Sequence, residues 1–127
     1  MSKKQVIHVP GVKSIGPYSH AVRSGDLLFV SGQPGVDPAT GEAAGNSFES
    51  QARQAFRNLD TVLKAGGSQL NLVLNTTIIV TELSNFPELN RLFAEYFPQD
   101  PPARMTMQVP LPKGLLISIG CTAAISD

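Results

Sequence analysis

Apolar residues first recur at helical spacing in NSFESQARQAFRNLDTVLKAGG, where Phe48, Ala52, Ala55, Phe56, Leu59, Val62 and Leu63 fall on one face. Asn46 followed by Glu49 reads as a capping box, and Gly66 with Gly67 supplies a left-handed stop. A second stripe, Phe86, Leu89, Phe93, Tyr96 and Phe97, runs through SNFPELNRLFAEYFP; Asn85 stands at the cap, Pro87 in the first turn and Pro98 past the end. Both segments predict amphipathic helices.

Around them the pattern changes to short β-branched and aromatic runs. HAVRSGDLLFV predicts a hairpin turning through Ser24, Gly25 and Asp26, with QVIHV as a weaker edge strand. VLNTTIIVTEL predicts a further strand, and RMTMQV and GLLISIGCTAAI form a pair separated by the turn-like PLPKG. The resulting order, β-β-β-α-β-α-β-β, is that of an α+β sheet with two helices. From Ile78 to Val80 and from Leu115 to Ala124, apolar residues occupy both strand parities, a sign of burial on both faces. Two helices cover one face, so the other is expected to close against another subunit. The competing reading is a sheet curled over its own loops.

Composition narrows the class. At 127 residues the chain fits one domain, residues 1–127, able to bury roughly two-thirds of its unfolded surface. Ten basic and ten acidic residues give zero formal net charge, which argues against nucleic acid or an anionic membrane as partner and favours a small ligand. The start, MSKKQVIHV, is too polar for a signal peptide, and no apolar run approaches the roughly 20 residues of a membrane span, so a soluble cytoplasmic protein is expected. Cys121, the only cysteine, excludes an internal disulfide and lies far in sequence from both histidines, so no metal site is read.

The candidate chemistry centres on Arg104, a lone guanidinium at the start of ARMTMQV, with no carboxylate side chain between Asp100 and Asp127. Alternation places Arg104, Thr106 and Gln108 on one face and Met105, Met107 and Val109 on the other. A guanidinium beside a hydroxyl offers a planar fork and a further hydrogen bond to a carboxylate ligand. A salt bridge from Arg104 to Glu95, Asp100 or an acid of a neighbouring chain explains it equally well. In SIGPYSHA, Gly16 and Pro17 form a stiff turn presenting Tyr18, either a pocket wall or an ordinary core or interface tyrosine. VSGQPGVDPATGE ends a strand at Ser31 and Gly32, exposing backbone amides and a hydroxyl, which by itself is turn chemistry. Asn90 falls beside the apolar stripe and faces either solvent or a site, and His20 has no nucleophile motif near it.

Taken together and in order, SIGPYSHA, FVSGQPGVDPATGE, QARQAFRNLDTVLKAGG, FPELNRLFAEYF and PPARMTMQVPLPKG resemble the RidA/YjgF family, also called the L-PSP endoribonuclease family. The resemblance implies a chorismate-mutase-like α+β fold assembled as a homotrimer, with pockets between subunits. It further implies hydrolysis of 2-imino and enamine acids to 2-keto acids and ammonia, with no metal or organic cofactor. Arg104 would clamp the substrate carboxylate, and Tyr18, Ser31, Gly32, Asn90 and Thr106 would line the pocket. One departure stands out. Family deaminases carry a glutamate in an IEIEA-like segment of the last strand, where it is thought to orient water; here ISIGCTAA puts Ser118 and Gly120 at the two acidic positions. Glu82, Glu88 and Glu95 are the acids elsewhere that a site could recruit. Gly120 therefore implies a weaker deaminase, a relative acting on a bulkier enamine or imine, or a protein that binds small carboxylates without turnover. A ribonuclease or translation inhibitor, the reading behind the family's other name, fits the neutral charge least.

Overall fold

The computed structural model describes residues 3–14 and 16–127; Met1, Ser2 and, within the SIGPYSHA motif, Ile15 lie outside the described residues. The element order is β1 (Gln5–Ile7), β2 (Ala21–Ser24), β3 (Leu27–Pro34), α1 (Phe48–Ala65), β4 (Val73–Val80), α2 (Phe86–Tyr96), β5 (Ala103–Gln108) and β6 (Ile117–Ala124). The strands form one sheet in the order β1-β2-β3-β6-β4-β5, giving the expected mixed α+β arrangement. β2 and β3 make the hairpin, with Gly25 at φ 59° where a side chain would be strained. β5 and β6 do not pair with each other. β6 inserts antiparallel between β3 and β4, and β5 runs parallel to β4 at the edge, because α2 returns the chain to the far side of β4. PLPKG is therefore a crossing loop rather than a hairpin turn.

Both helices pack on one face. α1 lies across β3 and β6 and against α2, and its predicted apolar stripe is buried. Its cap differs from the expected box. Ser47, one residue after Asn46, is the N-cap and accepts from Ser50 N, while Glu49 pairs with Arg53 at 3.0 Å. A serine oxygen reaches the first-turn amides directly, which leaves Glu49 free for the (i, i+4) pair. Asn85 stands at the N-cap of α2 but its side chain makes no capping bond. Along β6 the alternate positions Ile117, Ile119, Cys121 and Ala123 are buried beneath the helices. Their neighbours Ser118, Gly120, Thr122 and Ala124 point to the open face and are half-buried. The apolar surface on that face comes instead from flanking strands: Leu27, Phe29, Met105 and Met107 are all exposed.

Candidate functional site

Arg104 sits on β5 opposite Thr76 of β4, on the face that α2 covers. Its guanidinium carbon lies 4.9 Å from the Phe93 ring centre and 5.2 Å from that of Phe86. The two rings are seven residues, about two helical turns, apart on one face, so the apolar stripe of α2 supplies the cation with a π platform. The salt-bridge reading fails within the chain. Glu95 is taken by Arg53 at 2.7 Å, which lowers the Glu95 carboxyl below its usual range, and among the described residues Arg104 has no ion pair. Its fork opens into a cavity of about 450 Å³ lined by Asn90, Phe93, Ala94, Phe97 and the prolines at 98, 101 and 102. Asn90 is exposed and lines this cavity.

The remaining members of the polar triplet divide. Thr106 shares the face of Arg104, and its hydroxyl oxygen is buried without a hydrogen-bond partner. Gln108 is not part of the group: its Oε1 accepts from Leu83 N at 2.9 Å, closing the turn that precedes α2.

Ser31, Gly32 and Gly120 meet elsewhere. The β3–β6 register runs from Val30↔Cys121 to Gln33↔Ile119, so Ser31 and Gly32 together oppose Gly120 in a β-bulge. A Cβ on Gly32 would lie 2.6 Å from Ser118 Oγ, and one on Gly120 would lie 3.2 Å from Val30 O and 3.5 Å from Gly32 N. The bulge thus seats the Ser118 hydroxyl against Gly32 and holds the Cβ position of Gly120 close to the β3 main chain, with a cavity opening beyond it. Ser31 and Gly120 line a cavity of about 390 Å³ together with Asn75, Thr77 and Thr122. Ser31 also fixes the Tyr18 segment: Ser31 N donates to His20 O at 2.9 Å, and Ser31 Oγ to Ser19 O at 2.6 Å. Tyr18 itself is 42% exposed and meets His20 edge-on at 5.9 Å. His20 Nδ1 lies 3.4 Å from Gln33 Nε2, while Nε2 is buried without a partner.

The expected residues therefore form two groups rather than one. Arg104, Asn90 and Thr106 lie at the edge strand on the helix side, whereas Ser31, Gly32 and Gly120 face the open side. β3 and β5 stand three strand spacings apart, roughly 14 Å. Neither cavity lining contains a carboxylate or an imidazole. Cys121, beside Gly120, is buried, and desolvation pushes its thiol up to about 12. Glu82, Glu88 and Glu95 line neither cavity. Three features escaped sequence reasoning: the use of Phe86 and Phe93 as a platform for Arg104, the seating of Ser118, named there only as a replaced acid, against Gly32, and the bulge. A Ser-Gly pair inside a strand is the signal that marks such a bulge. No group of three His, Cys, Asp or Glu among the described residues is arranged to hold a metal ion, and no helix among them is long and apolar enough to cross a membrane.

A family model described as Endoribonuclease L-PSP matches residues 9–125. Reactive Intermediate Deaminase A, chloroplastic, of Arabidopsis thaliana is 38% identical over 125 residues, covering 97% of this chain and 67% of its own. Human 2-iminobutanoate/2-iminopropanoate deaminase is 37% identical over 111 residues, covering 87% of this chain and 81% of its own. The crystal structure of RidA from an Antarctic Psychrobacter species superposes with a TM-score of 0.90 at 36% identity, covering 95% of this chain and 99% of that one. Sequence and architecture agree along nearly the whole chain: it belongs to the RidA/YjgF family, the endoribonuclease L-PSP family.

Proposed function

We propose that this chain hydrolyses 2-imino and enamine acids to 2-keto acids and ammonia, in clefts between the subunits of a homotrimer. The observation that carries the reading is Arg104, a guanidinium held on two aromatic rings at a cavity with no protein carboxylate to receive it. A substrate carboxylate supplies that partner through two charge-assisted hydrogen bonds. The unpartnered Thr106 hydroxyl lies on the same face, and Asn90 on the cavity wall. Separation of the two residue groups supports assembly: a neighbouring copy docked on the open face would bring Tyr18, Ser31, Gly32 and Gly120 to Arg104. The exposed Phe29, Met105 and Met107 are the apolar surface such docking would cover. Water adds to C2 of the bound, protonated imine, and the carbinolamine collapses to keto acid and ammonia. A positioned general base contributes about 10²–10⁴ in rate, or roughly 3–5 kcal/mol, so its absence from both cavities predicts slow turnover of simple monocarboxylic imines. The relatives named as deaminases support this chemistry. The test is to generate 2-aminocrotonate with a dehydratase and follow 2-ketobutyrate release. Acceleration by the native protein that disappears in Arg104→Ala is expected; release at the buffer rate, where a deaminase relative is active, overturns the proposal.

The absence of a carboxylate from both cavities favours one second reading, a small-carboxylate or 2-keto-acid binding protein without turnover. Calorimetric binding of pyruvate or 2-ketobutyrate that depends on Arg104, with no imine hydrolysis, is the result that selects it.

A further inference from the structure

The space above Gly120 has a chemical character of its own. Across the two cavities that hold Arg104 and Asn90, and Ser31 and Gly120, Arg104 is the single charged side chain in the linings. The Ser118 hydroxyl, seated against Gly32 at the edge of the space, has no hydrogen-bond acceptor or donor partner among the described residues. A Cβ on Gly120 would have Val30 O at 3.2 Å and Gly32 N at 3.5 Å as its nearest neighbours, so the first carbon of any side chain there sits tight against main chain and the room lies beyond it. The opening over Gly120 is lined by neutral polar side chains, Ser31, Asn75, Thr77 and Thr122, with the Ser118 hydroxyl two residues along the same strand face.

Charge decides what fits there. A protonated imine carrying one carboxylate, bound against Arg104, leaves one positive charge uncompensated in the cleft, and buried unpaired charge is costly. A protonated imine carrying two carboxylates brings the sum to zero. We infer that the preferred substrates are 2-imino dicarboxylates, whose distal carboxylate occupies the space over Gly120, accepts a hydrogen bond from Ser118 Oγ and serves as the general base that neither cavity provides. The inference rests on the deaminase reading above and specifies its substrate class. The water oxygen bonds to C2 while one of its protons passes to the distal carboxylate. The resulting acid returns that proton to nitrogen. The C–N bond then breaks as the carbinol oxygen forms C=O, and the hydroxyl proton passes through the restored carboxylate to ammonia. Protonated imine and water thus leave as keto acid and ammonium.

The experiment compares 2-iminosuccinate and 2-iminoglutarate with 2-iminobutanoate, each made in place by a flavin amino-acid oxidase from aspartate, glutamate or 2-aminobutyrate. Semicarbazide traps the imine that escapes hydrolysis. In the native protein kcat/KM for at least one dicarboxylate is expected to exceed that for 2-iminobutanoate by about 10²-fold, the span of a positioned general base. Gly120→Glu is expected to reverse the order, because the protein then fills the space and supplies the carboxylate. Ser118→Ala, which leaves the backbone of the bulge intact, is expected to reduce the dicarboxylate preference. Equal or faster turnover of 2-iminobutanoate by the native protein overturns the inference alone. Failure to accelerate any of the three overturns it together with the deaminase reading.

Discussion

Replacing Arg104 with alanine separates folding from ligand capture, and the structure sets a different magnitude for each. What the fold loses is two cation–π contacts, at 4.9 and 5.2 Å. On a half-buried guanidinium these are worth about 0.5–1 kcal/mol each, a total of about 1–2 kcal/mol. No carboxylate is orphaned, because among the described residues none pairs with Arg104. Ligand capture loses more. Hydrogen bonds to charged groups contribute about 1.5–3 kcal/mol, so losing the fork is expected to weaken keto-acid binding roughly 10²-fold. Urea unfolding reports the first quantity and calorimetry with 2-ketobutyrate the second. Arg104→Lys should recover only part of the affinity, since an ammonium keeps the charge but neither the planar fork nor the ring stacking. A loss of about 3–5 kcal/mol of stability, the signature of a broken buried ion pair, would refute the reasoning. So would unchanged keto-acid affinity.

Three further outcomes follow from the same geometry. Met105, 61% exposed on the open face of the edge strand, should be covered in the trimer; Met105→Glu is expected to shift sedimentation from three copies towards one and to abolish imine hydrolysis, and a native monomer would contradict the assembly. Gln51 is 1% exposed, and its amide donates to Gly45 O and Gly114 O while its carbonyl accepts from Leu116 N; Gln51→Ala should cost about 2–4 kcal/mol in urea unfolding, because three hydrogen bonds of about 0.5–1.5 kcal/mol each are lost from a buried side chain. Burial raises the Cys121 thiol from 9.0 to about 12. The native state therefore holds its proton where the unfolded chain releases it, so the contribution to stability is whole below pH 9 and declines as pH rises towards 12, by up to about 1.4 kcal/mol per pH unit. Cys121→Ala should flatten that decline in alkaline melts.

The two helices were legible because their apolar stripes are long and periodic, and the burial of Phe56, Leu59, Leu63, Leu89 and Phe93 follows that pattern. Strand positions were legible for a similar reason. Strand neighbours were not, since local propensity carries no record that β6 threads between β3 and β4. The capping error at Asn46 spans one residue: Asn and Ser cap equally well, and only backbone geometry selects Ser47. Of the residues read as site candidates, Arg104 and Asn90 converge on one cavity, and Ser31 and Gly120 on another. Alternation along ARMTMQV found the side of the sheet that Arg104 occupies, but no periodicity could reveal that Gln108 closes a turn. Gln51 shows the converse. A polar residue on the helix pattern gave no sign of being a fully buried tie between α1 and the loop before β6.

The central claim is that Arg104 of one copy receives a small organic carboxylate opposite Ser31 and Gly32 of another. Crystals soaked in 2-ketobutyrate test it most directly. The account predicts a trimer with both ligand carboxylate oxygens at about 2.7–2.9 Å from the Arg104 guanidinium and the keto carbon facing the neighbouring subunit's bulge. A ligand bound away from Arg104, or an Arg104 paired with an acid of the adjoining copy, would contradict it.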